Sequence, residues 1–196
     1  MLTFEPSSHT YRWHGQVVPS VTQVLNLLQP FAGVPKHILE VAQERGTFVH
    51  AMTEAYDLGE LDEEALALME DGLYMGYLKA WKAFIRDRKP VWDSVEERDY
   101  HDAGFAGTWD RTGTLDGEPE PWVIDIKSSL QDHKAWGMQT AAYRAMRANQ
   151  DPRYIRARRG SVQLRPDGRY RFLSWDNPAD WPAFCSLLNV YRWSKS

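Results

Sequence analysis

The chain has 196 residues, enough for one well-packed domain and short for two, with 43% hydrophobic and 26% charged residues, the balance of a water-soluble globular protein. No apolar run is long enough to cross a bilayer, and the N-terminus lacks a basic-then-apolar leader, so a cytoplasmic protein without membrane association is expected. The net charge of −4 argues against a general nucleic-acid coat, and the single Cys185 excludes an internal disulfide and a multi-cysteine zinc or iron–sulfur centre. Nine Trp among 13% aromatic residues leave rings both for a core and for stacking on bases or sugars.

Residues 9–18 read as a short hairpin turning at His14-Gly15. Ser20 is an N-cap candidate for a helix with Val21, Val24, Leu25 and Leu28 as its apolar stripe. After a break from Pro30 to Pro35, a second helix should run over 35–58 and end at Gly59. A third spans 63–88, with Leu66, Met69, Leu73, Tyr77, Trp81 and Phe84 on one side, and stops at Pro90. The pattern then becomes strand-like over 92–100, 104–112 and 121–128. A helix follows over 132–149, then a hairpin of strands 154–164 and 169–175 about Arg165-Pro166-Asp167-Gly168, and a last helix over 179–193. This order predicts a single α/β domain: residues 1–90 an N-terminal hairpin and helices, 91–175 a central mixed sheet with its helix, 176–196 a closing helix.

The chemistry concentrates around Asp116-Gly117-Glu118-Pro119, a turn signal. A hairpin folded there sets Asp110 across from Asp125. Strand alternation puts Val123, Asp125 and Lys127 on one face, so two carboxylates and an ammonium converge. Hard divalent cations take oxygen ligands, and phosphoryl transfer uses a metal with a nearby cation, so phosphodiester cleavage is the expected reaction. Gln139 and Tyr143 stand one turn apart on the following helix and share a face. The run Arg153, Arg156, Arg158, Arg159, Arg165, Arg169 and Arg171, with Arg144 and Arg147, reads either as a track for a phosphate backbone through residues such as Arg156 and Arg158 or as a solubilising hairpin.

Four motifs stand in the order of the PD-(D/E)XK nuclease superfamily: Gly46-Thr47-Phe48-Val49-His50, Gly107-Thr108-Trp109-Asp110, Asp125-Ile126-Lys127 and Gln139-Thr140-Ala141-Ala142-Tyr143. Over nearly its whole length the chain resembles the RecB-type and phage-exonuclease branch of that superfamily. The resemblance implies a restriction-endonuclease-like core and a Mg²⁺- or Mn²⁺-dependent DNA exonuclease, of a bacterial or phage-infected cell, that processes ends in recombination, repair or replication. Asp110, Asp125, His50 and the Ile126 carbonyl would hold metal. Lys127 would orient or deprotonate the attacking water or neutralise transition-state charge, and Gln139 and Tyr143 would contact DNA phosphate and support the lysine. Family members often carry a Glu where Glu96 and Glu97 stand, and Glu96 fits the register of Tyr100. Glu54, one turn from His50, is a candidate to fix its tautomer. A single-strand annealing or recombination protein is the implied partner. The rival readings are a structure-specific endonuclease and a non-catalytic DNA-binding or inhibitor protein that keeps the fold. Trp109, bulkier than usual before the first Asp, either touches substrate or fills the core.

Overall fold

The computed structural model describes residues 1–28, 33–129 and 131–196. The chain opens with three antiparallel strands, β1 (Leu2–Glu5), β2 (Thr10–Trp13) and β3 (Gln16–Val18). The expected hairpin is β2–β3; β1, joined to β2 through a 3₁₀ turn at Pro6–Ser8, adds to the β2 edge. Helix α1 (Val21–Leu25) starts in a capping box. Ser20 Oγ accepts from the Gln23 N–H at 3.1 Å, and Gln23 Oε1 accepts from the Ser20 N–H at 3.0 Å. The first part of the break expected after it lies outside the described residues.

Helix α2 (Lys36–Leu58) stops at Gly59, whose φ of +74° is the left-handed conformation that ends a helix. The single helix expected over 63–88 is two. α3 (Glu63–Leu68) and a 3₁₀ turn (Met69–Gly72) precede α4 (Met75–Arg88), because Gly72 takes φ +78°. Asp71-Gly72 is a turn signal that the apolar spacing had overridden. Met69 and Leu73, assigned to the core stripe, are exposed, while Leu66, Tyr77, Trp81 and Phe84 are buried.

Five strands then form one mixed sheet in sequence order: β4 (Val91–His101), β5 (Phe105–Thr114), β6 (Trp122–Lys127), β7 (Arg158–Leu164) and β8 (Tyr170–Ser174). All neighbours are antiparallel except β6 and β7, which are parallel and joined by the crossover helix α5 (Ala135–Gln150). A 3₁₀ turn (Pro152–Arg156) replaces the start of the strand expected at 154, and α6 (Asp180–Trp193) closes the chain. Helices therefore flank a mixed α/β sheet.

Alternation along β6 divides the core. Trp122, Ile124 and Ile126 pack with Val49 and Met52 of α2 and with Tyr77, Leu78, Trp81 and Phe84 of α4. Val123 packs on the other side with Val21 and Val24 of α1, Ala142, Tyr143 and Met146 of α5, and Phe184 of α6. Asp125 and Lys127 share the face of Val123, the side of α5. The N-terminal sheet is tied to the same region by an Ala106 N–H bond to the Pro19 carbonyl at 3.0 Å and by Tyr11 Oη against Thr108 Oγ1 at 2.7 Å. Trp109 is fully buried and donates its indole N–H to Ser94 Oγ at 2.8 Å, so it fills the core. Cys185 is partly exposed on α6, and burial on its inner side pushes its thiol up. Among the described residues no helix is long and apolar enough to cross a membrane.

Candidate metal centre

Continuing the β5–β6 pairing of Arg111 with Ile124 sets Asp110 opposite Asp125. Asp110 Oδ2 accepts the Ile126 N–H at 2.5 Å, which pins the carboxylate to the neighbouring strand. From α2, His50 reaches the same point. Its Nε2 lies 3.1 Å from the Ile126 carbonyl, and its Nδ1 lies 3.3 Å from Glu96 Oε1 and 3.5 Å from Asp110 Oδ1. Ligand atoms of His50, Glu96 and Asp110 all fall within 4.8 Å of one another. Asp125 stands beside this trio, holding Lys127 Nζ at 2.8 Å and the Ser161 hydroxyl at 3.3 Å. Lys127 also donates to Gln139 Oε1 at 3.0 Å, and Gln139 Nε2 donates to the Tyr143 hydroxyl at 3.0 Å. His50, Asp110, Asp125, Lys127, Gln139 and Tyr143 thus meet in one cleft of about 570 Å³, joined by Glu96.

The choice between Glu96 and Glu97 is resolved by backbone. Glu96 has φ +47°, a left-handed conformation inside a strand, and such strain persists where surrounding contacts over-determine it. Those contacts are His50 and Arg111, whose Nη1 lies 3.2 Å from Glu96 Oε1. Glu54 lines the cleft but makes no hydrogen bond to His50; Glu96 and Asp110 orient the imidazole instead.

Arg111 was not singled out in sequence. It is fully buried and donates Nε to Asp57 Oδ2 at 2.7 Å, Nη2 to Thr53 Oγ1 at 3.2 Å and Nη1 to the Asp110 carbonyl at 2.7 Å. It therefore clamps the helix that carries His50 to the strand that carries Asp110. The only sequence signal was a cation alternating with Asp110 within an apolar strand. Removing one partner of a buried pair strands the other, so Asp57→Ala should cost about 3–5 kcal/mol. A fall in melting temperature of roughly 10 °C is expected by calorimetry; a fall of under about 2 °C would refute the clamp.

The electrostatics suit a cation. Burial pushes Asp110 up, and Glu96 adds to it despite His50 and Lys127 nearby. Burial likewise raises Asp125 to about 6, with the Asp110 charge reinforcing it against Lys127. Burial opposes a charge on His50, but Asp110 and Glu96 outweigh it and bring the imidazole to about 9. Geometry agrees, since both ring nitrogens face oxygens that only accept. Once that proton leaves, the carboxylates of Asp57, Glu96, Asp110 and Asp125 at the centre outnumber the cations held against them, Arg111 and Lys127, and Glu54 and Arg98 on the cleft wall offset each other, so net negative charge is left for a divalent cation. Carboxylate and carbonyl donors suit Mg²⁺ or Mn²⁺, and the imidazole is the softer donor of the set. Tyr143 is held well above 10, first by burial and then by Asp110 and Asp125, and stays a phenol.

Arg156 and Arg158 are not brought to this cleft. Arg158 pairs with Trp122 in the β6–β7 register, whereas Lys127 pairs with Gln163, so about 16 Å of strand separates them. Arg156 is exposed on the preceding 3₁₀ turn. The arginine run also has matching acids, two of them two residues upstream (Asp151 and Asp167) and the others distant in sequence. Arg153 meets Asp151 and Asp93, Arg158 meets Glu118, Arg159 meets Asp180, Arg169 meets Asp167 and Arg171 meets Asp132. Arg159 is buried and also donates to the Gly137 and Asn177 carbonyls, a structural role. A larger groove of about 1010 Å³ lies between α4 and the β7–β8 turn. Its Lys82, Arg86 and Arg169 are paired with Glu63, Asp87 and Asp167, and it holds no cluster like the one around Lys127.

A comparison with protein-family models finds no match, and neither does one with curated proteins. Among solved structures 14 chains match. One is the crystal structure of SSO0001, 14% identical, with 76% of this chain and 86% of that chain covered and a TM-score of 0.41. A likeness at that level carries no argument about the site.

Proposed function

We propose that this chain is a Mg²⁺- or Mn²⁺-dependent deoxyribonuclease with a PD-(D/E)XK, restriction-endonuclease-like core, acting on DNA ends as an exonuclease of the phage type. The observation that carries the reading is the meeting of Asp110, Asp125 and Lys127 on adjacent antiparallel strands, with His50 delivered to the Ile126 carbonyl by a separate helix. Three antiparallel strands followed by a crossover helix and a parallel strand support the same core.

Asp110, Asp125, His50 and the Ile126 carbonyl would hold the metal, with Glu96 in reach, and the ion would polarise the phosphate and acidify a water. The chain's own groups do the rest. Asp125 and Gln139 hold Lys127 Nζ at the cleft floor, where it donates to phosphoryl oxygens as charge builds on them. Because Gln139 donates to Tyr143 Oη, the phenol proton remains free to donate into the cleft. The buried sides of Asp110 and Asp125 exclude bulk water and strengthen these interactions.

End-labelled linear DNA and covalently closed circular DNA, incubated with Mg²⁺, Mn²⁺ or EDTA, test the reading. Metal-dependent loss of the linear DNA alone is expected. Nicking or linearisation of the circle would replace the exonuclease with an endonuclease, and survival of both substrates in both metals would reject hydrolysis by this chain.

A further inference from the structure

One wall of the cleft carries a cation that the proposed reaction does not use. Arg98 stands on β4 two residues beyond Glu96 and opposite Thr108, and it lines the cleft with Glu96, Thr108 and Asp110. It is exposed, and among the described residues no carboxylate is ion-paired with it. Its guanidinium lies over the Phe4 ring, 4.7 Å from the centroid. Phe4 in turn meets His9 edge-on at 5.2 Å and Tyr11 at 4.6 Å, and the Tyr11 hydroxyl is fixed to Thr108. The three-stranded sheet thus delivers a cluster of rings to the mouth of an acidic cleft, beside an arginine that has no acid to neutralise. Partial burial against Phe4 and Tyr11 and the nearby Arg98 charge hold His9 below its ordinary range, so its ring is neutral at neutral pH.

We propose that Arg98, Phe4 and His9 form a nucleotide subsite beside the metal centre. Arg98 takes the phosphodiester next to the one being cut, and the base of that nucleotide lies unpaired against the His9 and Phe4 rings. Two strand residues span about 7 Å, roughly one phosphate step along an extended nucleic-acid strand, so Arg98 stands one phosphate away from the metal centre that Glu96 borders. Rings on a cleft wall accept only a base that has left its stack, so the strand is single where it crosses this wall. The inference rests on the nuclease reading and specifies its substrate as DNA with a single-stranded segment at the site.

The test is fluorescence anisotropy with a dye-labelled oligodeoxythymidine in Mg²⁺, in a Lys127→Ala background so that the probe is not consumed. Arg98→Ala should weaken binding about tenfold and reduce the salt slope by about 0.7, one phosphate contact on a single strand. His9→Ala should weaken it about fivefold or more, His9→Trp should restore it, and the His9 effect should vanish on an abasic oligonucleotide. His9 meets Phe4 edge-on, so the melting temperature of each His9 variant is measured beside its affinity to show that the sheet is intact. Unchanged affinity and salt slope in Arg98→Ala, or equal losses on ordinary and abasic probes, would overturn the subsite. If that occurs while the otherwise wild-type protein cuts DNA, the nuclease reading stands and the subsite alone falls. If the background protein binds the oligonucleotide with the expected losses and the wild type cuts nothing, the subsite stands and the reaction falls. If the chain neither binds nor cuts, both fall.

Discussion

Lys127→Ala is expected to lower the rate of DNA cleavage by at least about 10²–10³-fold while the affinity for DNA changes much less, because the ammonium acts on charge that develops in the transition state. Lys127 sits between Asp125 and Gln139, both buried, so its position is set before substrate arrives. Gln139→Ala should cost only about tenfold, since Asp125 still holds the lysine. Asp110→Asn should match the Lys127 effect, because it removes the charge of a candidate ligand while its amide oxygen can still accept the Ile126 N–H. Single-turnover cleavage and melting temperature, measured on the same preparations, separate lost chemistry from lost folding. A folded Lys127→Ala protein that cuts at the wild-type rate would remove the proposed mechanism.

The second large effect concerns pH and metal together. His50 is raised to about 9, so its stabilising contribution is complete below about 6.5 and is lost as pH rises through about 9. Asp125 is raised to about 6, so its contribution is complete below the ordinary carboxylate range and is lost as pH rises through about 6. Both shifts have the same sign, and each is worth on the order of 3 kcal/mol. In EDTA the protein should therefore become less stable as pH rises from 5 to 9, with a melting temperature falling by roughly 10 °C or more. Added Mg²⁺ or Mn²⁺ should flatten that decline, because the cation replaces the protons, and at pH 7 binding should release about one proton, from His50. Titration calorimetry in buffers of different ionisation enthalpy measures that release. Stability in EDTA that rises with pH, or metal binding with no proton release, would contradict this picture. Asp125→Asn should stabilise the metal-free protein at pH 8 and abolish the metal-induced gain.

Much of the architecture is local and therefore legible. The Ser20 capping box, the Gly59 stop, the Asp116-Gly117 turn and the alternation of β6 are each fixed by residues within a few positions of one another. The convergence of Asp110, Asp125 and Lys127 follows from the same short-range rules, because a hairpin centred on Gly117 and Glu118 sets register and alternation sets the face. The split of the helix expected over 63–88 shows the limit of apolar spacing, which cannot report a left-handed glycine within it.

What the sequence by itself determined is the α/β element order, with a mixed sheet flanked by helices, and the identity of the acid–lysine pair on one hairpin. The register with Tyr100 already favoured Glu96 over Glu97, and it is Glu96 that joins His50, through one backbone angle that two distant side chains hold in the tertiary structure. Only the tertiary structure paired Arg111 with Asp57, seated Gln139 against Lys127, drew the downstream arginines to acids outside the cleft and left Arg98 beside Phe4. The physical reason is common to all of these. Spacing along the chain specifies which residues share a face, but a charge finds its partner through space, and that partner lies on an element whose position is set by the packing of the two cores.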